Sequence, residues 1–236
     1  MLRLVYSNRT EELLDELASR VRAQQAAQGP LVPVRLVVPN ASVEGYVRLG
    51  VAKAQGIAAN LEASLLTRFA GELLSTPDAR VADGDALEAM ALALLLDGAL
   101  LEEPDLAPVR AYLHAAGDEP DTLDLRRVQL AGRVARVFEE YTYARAEMLA
   151  GWRRGLVLGP EHAETERWQR RLWRGMFGEK GLARGGNAPS ARAPSQAAAD
   201  AAAAPGISPR LVPLHEAVAA RDGAPLELPS AVHVFG

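Results

Sequence analysis

Apolar positions recur along this chain with more than one period, and the change of period divides it. Leu2, Val5 and Tyr6 fall in a short β-rich run that predicts a strand. Asn8 followed by Glu11 has the form of a helix-capping pair ahead of Leu13, Leu14, Leu17 and Val21, which share one helical face. Gly29-Pro30 ends that helix. Val32-Pro-Val-Arg-Leu-Val-Val38 is then apolar at nearly every position, as expected of a strand covered on both faces. A second helix over about Ser42 to Ala54 stops at Gly56, and Ile57-Ala-Ala-Asn-Leu61 predicts a short third strand. The resulting β-α-β-α-β order is that of a parallel, doubly wound sheet with right-handed crossovers.

Beyond Leu65 helical spacing takes over. Helices are predicted over Leu87–Leu101, Ala107–Ala115, Leu123–Tyr143 and Trp168–Phe177, punctuated by Pro104, Pro120 and Gly159-Pro160. On the longest, Val128, Ala131, Val134, Phe138 and Tyr141 recur every three or four residues and form a core stripe. Residues 183–206 are almost wholly Ala, Pro, Ser and Gly with a few charges, too little apolar surface to offset ordering entropy, so a disordered linker is expected. A helix around Leu211–Ala220, a turn at Asp222-Gly223 and an apolar run Ala231–Gly236 then predict a return to the sheet. The expected organisation is an α/β start over 1–64, a helical subdomain over 65–182, the linker over 183–206, and a return helix and strand over 207–236. A terminal buried strand with no following helix is expected to be a C-terminal truncation of a larger α/β domain.

Composition narrows the chemistry. The 236 residues include no cysteine, which removes disulfides, thiolate metal sites and cysteine nucleophiles, and fits a cytoplasmic setting. No apolar run is long enough to span a bilayer. A net charge of -4 gives no global attraction to nucleic acid, so any DNA contact must come from a local arginine face. The two lysines, Lys53 and Lys180, are not followed by Ser or Thr, so neither can serve a phosphate loop, and neither has the acidic spacing of a metal-dependent nuclease. His114, His162, His215 and His233 never recur at the i, i+4 spacing of a zinc pair. No catalytic residue, cofactor or metal ligand is assigned. Two arginine clusters remain: Arg126, Arg127, Arg133, Arg136 and Arg145, and the set Arg167, Arg170, Arg171 and Arg174 beside Trp168 and Trp173. Guanidinium groups interleaved with indoles suit single-stranded nucleic acid. A solvated helix face with its tryptophans turned inward is the competing reading, favoured for the second cluster and level with the first.

Four stretches resemble the gamma subunit family of exodeoxyribonuclease V: Met1-Leu-Arg-Leu-Val-Tyr-Ser-Asn-Arg9, Gly56-Ile-Ala-Ala-Asn60, Val137-Phe-Glu-Glu-Tyr-Thr-Tyr-Ala-Arg145 with Leu149-Ala-Gly-Trp152, and Leu228-Pro-Ser-Ala-Val-His-Val-Phe-Gly236. The resemblance implies a degenerate superfamily 1 helicase-like parallel sheet of P-loop type, with an inserted helical subdomain. It implies a DNA channel with no ATPase or nuclease site of its own. The implied partners are the beta (helicase-nuclease) and alpha (helicase) subunits and the unwound 3′ DNA strand, which the family scans for the Chi recombination signal. By position, Glu139 and Arg145 match an acidic residue and an arginine of that channel, and Leu65 an apolar lining residue, with Arg133 and Arg136 as further DNA candidates from the arginine pattern. Where the best-known members carry polar side chains after the second strand, this chain has Pro39, Ala41 and Gly45, so reading of the same Chi sequence does not carry over. Two rivals stay open: an ATP-hydrolysing subunit of AddAB-type helicase-nucleases, which needs a phosphate loop after the first strand, and a protein-binding adaptor without DNA contact.

Overall fold

The strongest apolar run in the sequence becomes the centre of a sheet. Val34–Val38 forms β1, and Val34, Leu36, Val37 and Val38 are each at most 1% exposed. The computed structural model describes residues 3–115, 117, 119–157, 160–184, 209–221, 223–226 and 229–236. Most of the expected linker, residues 185–206, lies outside them. The fold is mixed α/β, mostly helical with two small parallel sheets. It separates into two units, Met1–Leu73 with Leu226–Gly236, and Leu74–Pro225.

In the first unit α1 (Thr10–Gln28) precedes β1, α2 (Ala41–Gln55) follows it, and β2 (Leu61–Leu65) and β5 (His233–Val234) flank β1 in the parallel order β2-β1-β5. Val34 is in register with Leu61, and Leu36 with His233. Val21 from α1, Val47 and Val51 from α2, Val34 and Leu36 from β1, and Phe235 form one apolar cluster, so both helices cover the same sheet face. A Cβ on Gly50 would lie 2.2 Å from Leu14 Cδ2, so glycine lets the two helices approach. Asn40 caps α2 by accepting Val43 N–H at 3.0 Å, and Gly56 ends it with φ of 85°.

Four expectations for this unit need correction. Residues 3–7 form no strand; Leu4 and Tyr6 are 83% and 87% exposed, because the run has no hydrogen-bonding neighbour to pair with. The Asn8–Glu11 cap does not form either. Arg9 is the N-cap of α1 without a side-chain bond, while Ser7 Oγ accepts Arg9 N–H at 3.1 Å and donates to Glu12 at 2.9 Å. The third strand starts at Leu61 rather than Ile57, since Asn60 takes φ of 50°, which interrupts extended backbone just before it. β1 is not covered evenly on both faces: Arg35 is exposed and pairs across the strands with Glu62 at 3.9 Å.

A helix absent from the expectation, α3 (Leu66–Leu74), leads into the second unit. There β3 (Ala79–Val81) pairs in parallel with β4 (Arg210–Val212), where a helix had been expected to start at Leu211; Pro213 follows, and α10 (Leu214–Arg221) starts only after it. The helix expected over Leu87–Leu101 is two, α4 (Gly84–Leu96) and α5 (Gly98–Leu101). Asp97 breaks it by capping Ala99 and Leu100 N–H at 3.0 and 3.1 Å. α6 (Ala107–His114) and α7 (Pro120–Ala144) follow the expected pattern, α8 (Ala146–Arg153) was not foreseen, and α9 (Ala163–Phe177) begins before Trp168.

The core of this unit gathers Leu87 and Met90 of α4, Val134 and Phe138 of α7, Trp152 of α8, and Trp173 of α9. Phe138 meets Trp173 edge-on with ring centres 5.3 Å apart. Ala131, Val134 and Phe138 are buried as the stripe requires, but Val128 is 47% exposed, one helical step round from the α4 contact. Among the described residues no helix is long and apolar enough to cross a membrane.

Candidate nucleic-acid interface

Helix α7 is the element on which most of the sequence-assigned site residues meet. Its buried side packs on α4, which sends Arg133 and Arg136, three residues apart, outward on the exposed side. Arg145, also exposed, stands at the joint where α7 ends and α8 begins, its backbone N–H bonded to Tyr141 O at 2.9 Å. Among the described residues, none of these three arginines is engaged in an ion pair or side-chain hydrogen bond. The other arginines of the two clusters are largely spent inside the protein. Arg126 lies over the Tyr112 ring at 4.6 Å and donates to Tyr112 O at 2.7 Å, and Arg127 pairs with Asp124 at 2.8 Å.

The second cluster resolves the same way. Trp173 is 1% exposed and Trp168 packs against the same core, so neither indole is presented for a base to stack on. Arg171 grips Glu103 through two contacts at 2.5 and 2.6 Å, which hold the Glu103 carboxyl below its ordinary value and raise Arg171. Arg170 donates to Gly155 O at 3.0 Å, and Arg167 reaches Asp105 at 4.0 Å. The inward reading holds for both tryptophans and for the engaged Arg170 and Arg171, while Arg174 is exposed and makes no side-chain hydrogen bond or ion pair among the described residues.

Glu139 turns from α7 toward the start of α4. A Cβ on Gly84 would stand 3.6 Å from its carboxylate oxygen. Burial raises the Glu139 carboxyl above its usual range, and Asp83, Asp85 and Glu140 add to the rise by repulsion. Glu139 therefore belongs to a small acidic group with Asp83 and Asp85, on the same helix as the free arginines but not paired with them. Leu65 ends β2 in the first unit and is 44% exposed.

Sequence reasoning missed an open groove beside β4, about 610 Å³ in volume, lined by Thr76, Ala79, Arg153, Arg210, Glu216 and Ala220 among others. Arg153 is tied to Glu216 at 2.6 Å, while the Arg210 side chain is exposed. The groove depends on β3 and β4, strands of three residues each with little apolar signal. Only the Pro209-Arg210 and Pro213 punctuation could have hinted at a strand there.

The place after the first expected strand, where a phosphate loop would stand, holds the Ser7–Glu12 turn, and the lysines are elsewhere, Lys53 exposed on α2 and Lys180 exposed beyond α9. Among the described residues no three His, Asp or Glu side chains gather as a metal site. His215 is pushed down to about 4 by burial, with Arg153 adding to the shift, and His233, lowered by burial, sits 2.9 Å from Gln24.

Comparison with known proteins adds the family. The chain is 26% identical over 181 residues to the RecBCD enzyme subunit RecC of Escherichia coli (strain K12), a match covering 75% of this chain and 15% of that protein. It is 22% identical over 196 residues to the RecBCD enzyme subunit RecC of Haemophilus influenzae, covering 75% of this chain and 17% of that protein. It thus spans well under a quarter of the length of these curated relatives. The family description "RecC, N-terminal domain" matches residues 2–236. By that match the chain belongs to the RecC N-terminal domain family.

Proposed function

We propose that this chain is the DNA-guiding part of a RecC-type gamma subunit in an exodeoxyribonuclease V helicase-nuclease, working with a beta helicase-nuclease subunit and an alpha helicase subunit. In this reading the first unit is a superfamily 1 helicase-like sheet of P-loop type that has lost its phosphate grip. The chain carries the 3′-ended single strand and performs no catalysis. It needs no cofactor.

The observation that carries the reading is the isolation of Arg133, Arg136 and Arg145. Many surface arginines elsewhere in the described chain are matched to a carboxylate or a carbonyl, as at Arg20, Arg48, Arg110 and Arg171, and other exposed ones without such a partner, such as Arg154, Arg174 and Arg184, stand on separate elements. These three are left free on one helix and its end, available to an external anion such as a phosphate backbone. Glu139 nearby supplies the opposite charge, which keeps a strand from binding α7 indiscriminately, and the Arg153–Arg210 groove offers room for one nucleotide unit. Leu65 is assigned an apolar lining role.

The test is site-specific photocrosslinking in the reconstituted complex on forked DNA. A photoreactive residue at Arg136 or Arg145 is expected to label the 3′-ended strand, and one at Arg170, turned to Gly155, is not. Labelling of protein alone from positions 136 and 145 would instead favour a protein-binding adaptor. ATP turnover that depends on this chain's own residues would favour the AddAB-type alternative.

A further inference from the structure

Two tyrosines stand two residues apart near the end of α7, and the core of the second unit uses only one of them. Residues so spaced on a helix point about 200° apart. Tyr141 turns inward, its ring centre 6.0 Å from that of Trp152 and its hydroxyl donating to Gln169 Oε1 at 3.3 Å. Thr142 is buried beside it. Tyr143 turns outward and keeps 48% of its surface in water.

An exposed tyrosine is ordinary by itself; the company this one keeps is not. At about 100° per residue, Gln129, Arg133, Arg136, Glu140 and Tyr143 fall within one arc of about 80°, and all of them are exposed. Tyr143 lies within about 20° of Arg136 and about 10 Å further along the axis. Arg145 comes two residues later, where the helix stops. The outward ring is thus bracketed by guanidinium groups that make no ion pair or side-chain hydrogen bond among the described residues.

Glu140 limits what can lie over that ring. It precedes Tyr143 by three residues on the same face, so a phosphate placed there would meet its carboxylate, whereas an uncharged base would not. Phosphates are drawn instead to the arginines on either side. An aromatic face between cations suits single-stranded nucleic acid, because every base offers a π face and the flanking charges hold the backbone. In a duplex the base faces are closed inside the stack, and the ring has no face to meet.

We propose that Tyr143 is a base-stacking platform on the exposed side of α7, holding an unpaired base of the DNA strand while Arg136 and Arg145 hold the phosphates that flank it. The inference rests on the reading of α7 as a DNA-facing helix and adds to it the residue that favours single strand over duplex.

Stacking and phosphate contact leave different marks on a salt series. A lost phosphate contact lowers the slope of log affinity against log salt, while a lost stack lowers affinity by the same factor at every salt concentration. In the reconstituted complex on a labelled 3′-tailed fork, Tyr143→Ala is expected to weaken binding about 5- to 100-fold at unchanged slope. Tyr143→Phe and Tyr143→Trp, which keep a ring, are expected to bind as the unsubstituted complex does. A second measurement needs no substitution in the protein: 5-iodouracil placed singly along the 3′ tail and irradiated is expected to join the strand to Tyr143, and not to Tyr141 of the same tryptic peptide. Undiminished binding by Tyr143→Ala, binding by Tyr143→Phe as weak as that of Tyr143→Ala, or irradiation that never labels Tyr143 overturns the proposal. Replacing Arg133, Arg136 and Arg145 together by glutamine shows which level has failed. A lowered slope in that variant with no effect at Tyr143 removes the stack and leaves the DNA reading standing, whereas an unchanged slope removes both.

Discussion

Replacing Arg133, Arg136 and Arg145 together by glutamine removes three exposed, unpaired cations from α7 and its end while leaving the core untouched. Arg145 caps the α7–α8 joint without a side-chain bond, and exposed substitutions that break no side-chain bond change stability by about 0.5 kcal/mol or less, so the variant complex should assemble and melt as before. Its affinity for DNA should change in a defined way. Each phosphate neutralised on a single strand releases condensed counterions and contributes about 0.7 to the slope of log affinity against log salt. Three lost contacts therefore lower the slope by about 2, and the affinity deficit is greatest at low salt and narrows as salt rises. The assay is fluorescence anisotropy of a labelled 3′-tailed fork titrated with the reconstituted complex across a salt series. The control is Arg170→Gln with Arg171→Gln, which removes the same kind of charge from side chains already bonded to Gly155 and Glu103. A triple variant whose slope equals that of the unsubstituted complex would refute the assignment of these arginines to the strand. A control pair that lowers the slope equally would show the effect to be general electrostatics.

Other expectations concern the scaffold. Phe138→Ala, at 1% exposure against Trp152 and Trp173, should cost about 3–5 kcal/mol in denaturant unfolding; a loss under about 1 kcal/mol would mean the α7 core contact is not formed. Trp152→Phe removes the indole N–H that donates to Glu166 at 2.7 Å in a buried setting and should cost about 1–3 kcal/mol for the lost buried hydrogen bond to a charged group. Glu166→Gln keeps an acceptor and should cost less than Trp152→Phe, so equal losses would contradict the bond. His215 is held neutral in the fold, down to about 4, while its unfolded value stays near 6.5. Its contribution is thus fully present above about pH 6.5 and lost as pH falls toward 4. Thermal melts should show a decline across that window that is shallower in His215→Gln; identical pH profiles would rule it out.

What could be read in advance follows from how much signal each element carries on its own. β1 and α7 were legible because an unbroken apolar run and a long repeat at helical spacing are buried in the structure nearly as written, in Val34–Val38 and in Ala131, Val134 and Phe138. The break at Asp97 was not legible. The residues on either side continue the apolar pattern, and only the side-chain bonds to Ala99 and Leu100 N–H show a cap rather than a helix interior. β3 and β4 escaped because each is three residues long and finds its partner far away in sequence, which local periodicity does not encode. The groove beside Arg210 was lost with them. At the candidate interface the sequence singled out Arg133, Arg136 and Arg145 but gave no physical ground for setting Arg126 and Arg127 of the same helix aside. Which are consumed by Tyr112 and Asp124 and which remain free is a property of packing alone.

The central claim, that the free face of α7 meets a DNA strand, is tested most directly by a high-resolution structure of the reconstituted complex engaged on a forked duplex. The account predicts phosphate oxygens of the 3′-ended strand within hydrogen-bonding distance, about 3 Å, of the guanidinium groups of Arg133, Arg136 or Arg145. A strand that passes elsewhere, with all three arginines in water or held by another polypeptide, would contradict it.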